Sequence, residues 1–331
     1  MKVLVTGGAG FIGSHLCSEL INCGDEVICY DNLEDGQIQN IQHLINNEKF
    51  KFIEETILNF EALLESSVDV DVIYHLAGKA DIVPSVNNPK LYFDVNVTGS
   101  FNVIEAARAN NIKRVVYAAS SSCYGLVDEY PTTETCALSP EYPYAQTKLM
   151  GESCLLHWGK VYGIEVNSLR LFNVYGPRSR TNGAYGSVMG VFLAQKLASK
   201  KFTVVGSGEQ VRDFVYVGDV AKAFMKAGKC KKFGEIINIA TNNPQSINHL
   251  VSLLDGYGVE FIPKRPGEPD RTQGDSTKAK EILGWSAETT FEEGVQLILN
   301  DIDYWKDARV WSSSEIKKET ESWFKLLGKN E

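Results

Sequence analysis

Two groups of residues in this chain have the types and spacing that chemistry needs. Tyr144 and Lys148 stand four apart in Tyr144-Ala145-Gln146-Thr147-Lys148. On a helix, such positions share one face, about one turn apart. An ammonium beside a phenol stabilises the phenolate, so Lys148 is expected to bring the Tyr144 pKa down from about 10 toward working pH. Tyr-x-x-x-Lys also describes any surface helix with an aromatic and a base. What lifts this one is Ser120-Ser121-Ser122, at the end of the apolar run 113–119. Strand ends in parallel sheets face the ligand crevice, so a hydroxyl there can share a proton with Tyr144.

The other group is a glycine loop. Thr6-Gly7-Gly8-Ala9-Gly10-Phe11-Ile12-Gly13 follows the β-branched run 2–6 and opens the helical stretch 12–23. Gly7 permits a tight turn, Gly10 lets backbone approach a diphosphate, and Gly13 lets the helix pack on the sheet. The helix N-terminus offers unpaired N–H groups to that diphosphate. Asp31 ends the next strand, 26–30, eighteen residues after Gly13. Its carboxylate can accept both ribose hydroxyls and would repel a 2′-phosphate, which predicts NAD rather than NADP. No Arg at 32–36 rescues the phosphate. An oxidised nicotinamide would add to the effect of Lys148 on Tyr144.

The elements that must position these groups alternate. Strands are predicted at 50–54, 71–76, 113–119 and 165–171, and helices at 37–47, 59–66, 89–110 and 144–162. Alternation of this kind means βαβ units and a parallel sheet with helices on both faces. The expected fold class is therefore α/β, a Rossmann-type doubly wound sheet with a smaller mixed α/β C-terminal substrate domain. Helices are further predicted at 188–200 and 219–229, with strands at 202–205 and 235–239. The domain expectation is 1–173 for NAD and 174–331 for the substrate, with the chain crossing between them.

The net charge of −9 argues against nucleic-acid or acidic-membrane partners, which need clustered Lys and Arg. No apolar run approaches the roughly 18 residues that span a bilayer, and no secretory signal is visible, so a cytoplasmic location is expected. The seven cysteines include no CxxC. Cys17, Cys23 and Cys29 recur every six residues, which invites a metal reading. They fall on a predicted helix, the turn after it and the next strand, so they are expected not to converge. Free thiols and no metal are expected.

TGGAGFIGS at 6–14, Asp31-Asn32, HLAG at 75–78, Asn96, SSSCYG at 120–125, YAQTK at 144–148, LRLFNVYGPR at 169–178 and VRDFVYVGDVAKA at 211–223 occur in this order. Together they resemble the extended short-chain dehydrogenase/reductase superfamily, in its NAD-dependent nucleotide-sugar epimerase/dehydratase branch, to about residue 290. The resemblance implies that Tyr144 is the base that removes the sugar 4-hydroxyl proton. Lys148 would bind the nicotinamide ribose, and Ser120 would hydrogen-bond O4. Gly7, Gly10, Phe11, Ile12, Gly13, Asp31, Asn32, Leu76, Ala77, Gly78 and Asn96 would contact NAD, with Phe172 near the nicotinamide. Ser85, Ser121, Ser122, Asn173, Arg212, Arg265, Arg271 and Thr272 would face the nucleotide sugar. An Arg there can make bidentate charge-assisted bonds to a diphosphate, which a Lys cannot.

The resemblance also bears on the reaction. Dehydratases of this kind carry an Asp-Glu pair after the Ser/Thr, and related decarboxylases and GDP-mannose dehydratases a Glu two before the motif tyrosine. Ser121 and Ser122 occupy those places here, and neither is a carboxylic acid. A nucleotide-sugar 4-epimerase is expected. Epimerases restricted to non-acetylated sugars carry a bulky aromatic seven residues after the diphosphate Arg; counting from Arg265 gives Thr272, which leaves room for a 2-acetamido group. UDP-GlcNAc/UDP-GalNAc is the expected pair, with or without UDP-glucose/UDP-galactose. The family's Gly-Asp-Ile at the adenine is Glu55-Thr56-Ile57 here. Lys79 stands where many members are neutral, and reads equally as a cofactor contact or a loop charge. Three alternatives stay open: a 4-dehydrogenase or 4-ketoreductase, a UDP-glucuronate 4-epimerase using Arg271 or Arg180, and a non-catalytic NAD sensor. A homodimer through 89–110 and 144–162 is implied by the family. Trp305, Trp311 and Trp323 are expected to pack in a core or a subunit contact rather than form a sugar platform.

Overall fold

The structure is a computed structural model that describes residues 1–179 and 187–328; Arg180 lies outside the described residues. Apolar β-branched runs form the central strands β1 (Lys2–Thr6), β2 (Glu26–Asp31), β3 (Phe50–Glu54), β4 (Val72–His75), β5 (Arg114–Ser120) and β6 (Glu165–Leu171). Both faces of β1 are covered, so Val3, Leu4 and Val5 are fully buried, as parallel strands require. The first half of the chain also gives α1 (Phe11–Asn22), α2 (Ile38–Ile41), α3 (Phe60–Ser66), α4 (Ile82–Asn87), α5 (Pro89–Phe93), α6 (Gly99–Ala109) and α7 (Pro143–Tyr162).

The second half gives β7 (Asn173–Tyr175), β8 (Phe202–Val205), β9 (Val211–Arg212), β10 (Phe214–Tyr216), β11 (Glu235–Ile239), β12 (Gln245–Ser246) and β13 (Val259–Ile262). Its helices are α8 (Val188–Leu197), α9 (Val217–Lys229), α10 (Ile247–Leu254), α11 (Thr277–Leu283), α12 (Phe291–Asn300), α13 (Ser313–Glu319) and α14 (Glu321–Leu327). The main sheet has seven strands in the order β11-β6-β5-β4-β1-β2-β3, all parallel. β11 thus returns from the second half to pair with β6. A separate core of Phe192, Phe202, Phe214, Phe291, Trp305 and Trp311 sits under the small sheets.

Three local expectations change. The predicted helix 37–47 shortens to α2 and continues as turns. No side chain caps its start, and its Asn and Ile residues are weak helix formers. The predicted helix 89–110 is interrupted by a π-helical segment, Asp94–Thr98. Cys17 and Cys29 do meet, against expectation, because the inner face of α1 packs on β2; both are buried, and the Cys17 thiol touches that of Cys29. Cys23 stays exposed, and no group of three metal-binding side chains forms among the described residues.

Candidate active site

The ends of β1, β2, β4, β5 and β6 open onto one cavity of about 700 Å³, a size usual for small-molecule sites. One wall is the glycine loop. Gly7 has φ +71°, and a Cβ there would lie 2.6 Å from the Ala77 nitrogen. A Cβ on Gly13 would run into the Gly7 carbonyl oxygen. Only hydrogen fits at either place, so the loop lies against the end of β4. Gly10 precedes α1 without a side-chain cap, which leaves helix N–H groups directed at the cavity for a diphosphate. Asp31 accepts from the Ala9 amide at 3.0 Å and the Leu33 amide at 2.9 Å. Burial pushes its carboxyl up, and these amides oppose the shift. Phe11, Ile12, Asn32, Leu76, Ala77 and Gly78 line the same cavity, as do Glu55, Thr56 and Ile57. Loop, helix end and carboxylate form a cradle that fits the dinucleotide the sequence predicts.

Ser120, Tyr144 and Lys148 come together on the next wall. The Ser120 and Ser122 hydroxyls are 2.7 Å apart. Tyr144 stacks on Tyr142, with ring centroids 6.3 Å apart. Lys148 is buried, with its ammonium 4.3 Å from the Tyr117 ring centroid. The expected lowering of the Tyr144 pKa does not appear. Burial pushes the phenol up and the Asp81 charge adds to that, while the hydroxyls of Ser120 and Ser122 oppose it. Lys148 is itself brought down to about 7 by burial, against the pull of Glu152. Desolvation is the largest cause in both groups.

The far end of the cavity holds Arg212 and Arg265 around Glu268. The Arg212–Glu268 distance is 2.9 Å and the Arg265–Glu268 distance 3.6 Å. Ser121, Phe172, Asn173 and Thr272 also line the cavity. Thr272 donates its hydroxyl to the Asn173 side chain at 2.9 Å.

Three expected contacts lie elsewhere. Ser85 is buried in α4 and gives its hydroxyl to the Ile82 carbonyl at 2.6 Å. Asn96 is buried behind the wall: it accepts from the Lys79 amide at 2.8 Å and donates to the Lys79 carbonyl and the Thr147 hydroxyl, both at 3.1 Å. It therefore ties the Gly78-Lys79 loop to α7 instead of lining the site. Arg271 turns to Gln273, at 3.1 Å, and to the Tyr130 ring, at 5.1 Å. Lys79 lines the cavity and pairs with Glu34 and Asp35, each at 2.8 Å.

Sequence reasoning missed three residues. Asp81 lines the cavity. Asp213 accepts from the amides of Thr241, Asn242 and Gly274 and the Thr241 hydroxyl, clamping the loops behind Phe172. Trp323 lines the cavity from α14. The motif that holds Arg212 contains Asp213, the one signal available beforehand.

The family model described as GDP-mannose 4,6 dehydratase matches residues 4–298. A Mycolicibacterium smegmatis protein named UDP-glucose 4-epimerase is 35% identical over 302 residues, covering 89% of this chain and 96% of that protein. The structure is similar to a UDP-glucuronic acid 4-epimerase from Bacillus cereus in complex with UDP-glucuronic acid and NAD, with TM-score 0.84, 34% identity and 93% and 99% of the two chains covered. It is equally similar to a UDP-N-acetylglucosamine 4-epimerase from Methanobrevibacter ruminantium in complex with UDP-N-acetylmuramic acid, with TM-score 0.85, 32% identity and 91% and 98% covered. With a match spanning almost the whole chain and a glycine cradle beside a Ser-Tyr-Lys wall, the chain belongs to the NAD-dependent nucleotide-sugar epimerase/dehydratase family of the extended short-chain dehydrogenases/reductases.

Proposed function

We propose that the chain is a nucleotide-sugar 4-epimerase acting on UDP-sugars, with UDP-GlcNAc/UDP-GalNAc as the favoured pair and UDP-glucose/UDP-galactose beside it. The observation that carries this reading is Ser120, Tyr144 and Lys148 on one wall of a cavity that ends in two arginines. Gly7, Gly10, Gly13 and Asp31 would hold NAD, which would supply a reversible hydride acceptor for the sugar C4. Tyr144 removes the 4-hydroxyl proton as phenolate and returns it as phenol, with the Ser120 and Ser122 hydroxyls opposing the burial that raises its pKa. Ser120 shares that proton, and Lys148 anchors the nicotinamide ribose. Asn173, Arg212 and Arg265 hold the diphosphate, with the guanidinium edges on phosphate oxygens. Residues 1–173 mainly serve NAD and contribute the reactive wall, and 174–331 mainly serve the nucleotide sugar, with the chain crossing between them at β11.

Ser121 and Ser122 still speak against the dehydratase chemistry after which the matched model is named. Thr272, small and on the cavity wall, supports room for an acetamido group. Against a uronate, Arg271 bonds Gln273 and is not among the cavity-lining residues described, while Asp81 adds a negative charge to the wall. We also assign a homodimer through α5–α6 and α7, where Phe101, Val161 and Tyr162 are 39%, 56% and 52% exposed.

The test is to incubate purified protein separately with UDP-GlcNAc, UDP-glucose and UDP-glucuronate, without added NAD, and to follow the anomeric protons by NMR. UDP-GalNAc should appear from UDP-GlcNAc. Turnover confined to UDP-glucose would overturn the substrate assignment, and a 4-keto-6-deoxy product would overturn the epimerase reading and move Asp81 to the acid-base role.

A further inference from the structure

The family match stops at residue 298, yet the chain beyond it does not trail away. Tyr304 donates its hydroxyl to Asn40 on α2 at 2.8 Å. The Trp311 carbonyl accepts from Gln195 on α8 at 2.8 Å. α14 then packs against α4. This last segment thus touches α2, α8 and α4 in turn, and Trp311 and Trp323 both line the cavity.

Trp323 is 2% exposed, too buried for a mobile tail. Its indole N–H donates to the Pro266 carbonyl at 2.8 Å. The Arg265 guanidinium lies 5.5 Å from its ring centroid. One side chain therefore fixes the backbone next to Arg265 and packs against its guanidinium. A ring takes the face of a guanidinium, whereas phosphate oxygens take its N–H edge. The two contacts do not compete. Glu268 does compete, because it sits at the charged edges of both arginines.

We infer that Trp323 is a positioning residue for the nucleotide diphosphate: from outside the matched span, its ring and its N–H bond to Pro266 hold Arg265 at the cavity wall, where a diphosphate would take the guanidinium edge that Glu268 now occupies. This rests on the assignment of Arg265 to the diphosphate. A cation–π contact at a desolvated site is worth roughly 1–2 kcal/mol, about tenfold in affinity.

The test uses the holoenzyme with Trp323→Leu, Trp323→Phe, Arg265→Gln and the Leu/Gln double variant. UDP and uridine binding are measured by calorimetry, with kcat, KM and bound NAD alongside. Trp323→Leu should weaken UDP and raise KM by about tenfold, leaving uridine binding, kcat and NAD content unchanged. Trp323→Phe, which keeps a ring face but loses the N–H bond to Pro266, should recover about half of the loss, leaving about threefold. In the Arg265→Gln background, Trp323→Leu should add nothing. Equal losses in both backgrounds, or equal losses for UDP and uridine, would overturn the role of Trp323. If Arg265→Gln leaves UDP binding intact, the diphosphate assignment itself fails and this inference with it. Should Trp323→Leu not fold, the same cycle with Trp323→Phe carries the test, with a coupling of about threefold.

Discussion

Tyr144 stands between opposed influences, and each can be moved separately. Burial and the Asp81 charge raise its pKa, and the Ser120 hydroxyl opposes them. A base works when deprotonated, so activity rises with pH through its pKa. Asp81→Asn should therefore shift the acidic limb of the kcat/KM profile to lower pH, and Ser120→Ala should shift it upward. An unmoved limb for Asp81→Asn would remove Asp81 from the electrostatics of the site. Tyr144→Phe should cut turnover by about 10³-fold or more with NAD still bound, read by assay and by cofactor released on denaturation. Lys148 carries a stability signature too. Its pKa is held near 7 against an ordinary 10.5, so across that interval the unfolded chain binds the extra proton. Stability should gain with rising pH there, and thermal melts of cofactor-free Lys148→Met should lose that slope. That Ser120, Tyr144 and Lys148 would meet on one wall was legible from the Tyr-x-x-x-Lys spacing, the serines at the strand end and the family resemblance taken together. The direction of the Tyr144 shift was not, because burial has no mark in the sequence.

At the scale of elements, the cofactor wall depends on a fault in a helix. The π-helical segment Asp94–Thr98 carries Asn96, which joins the loop after β4 to α7 at Thr147, next to Lys148. π-bulges often mark functional sites. Asn96→Ala strands buried partners on both sides and should cost about 2 kcal/mol in denaturant unfolding, with faster loss of NAD from the folded protein. Retained stability with unchanged NAD release would show that the tie is dispensable. Strands 2–6, 50–54, 165–171, 202–205 and 235–239 were legible because short runs rich in apolar and β-branched residues stand between turn signals. The shortened α2 was not, since the residues after Ile41 close as consecutive local turns, Leu44 donating to the Ile41 carbonyl and Asn47 to the Leu44 carbonyl, which share the helical pattern. Lys79 belongs here as well. Its partners Glu34 and Asp35 come from the loop after β2, and only the folded sheet brings those two loops together.

The whole molecule makes its own demands. Phe101 and Trp158 meet edge-on at 5.6 Å across α6 and α7, with Val161 and Tyr162 exposed close by. If this face joins two copies, Phe101→Glu with Val161→Glu should halve the mass measured by light scattering. Among the described residues no helix is long and apolar enough to cross a membrane. The place of β11 carries a consequence of a different kind. It completes the main sheet beside β6, although the residues between 171 and 235 have meanwhile built much of the second half. A ribosome must therefore release residue 239 before the cofactor sheet can close. Until then β6 offers an open edge, the kind of surface that pairs with the wrong chain. A gene fragment ending at residue 173 should yield aggregates rather than a dinucleotide-binding module.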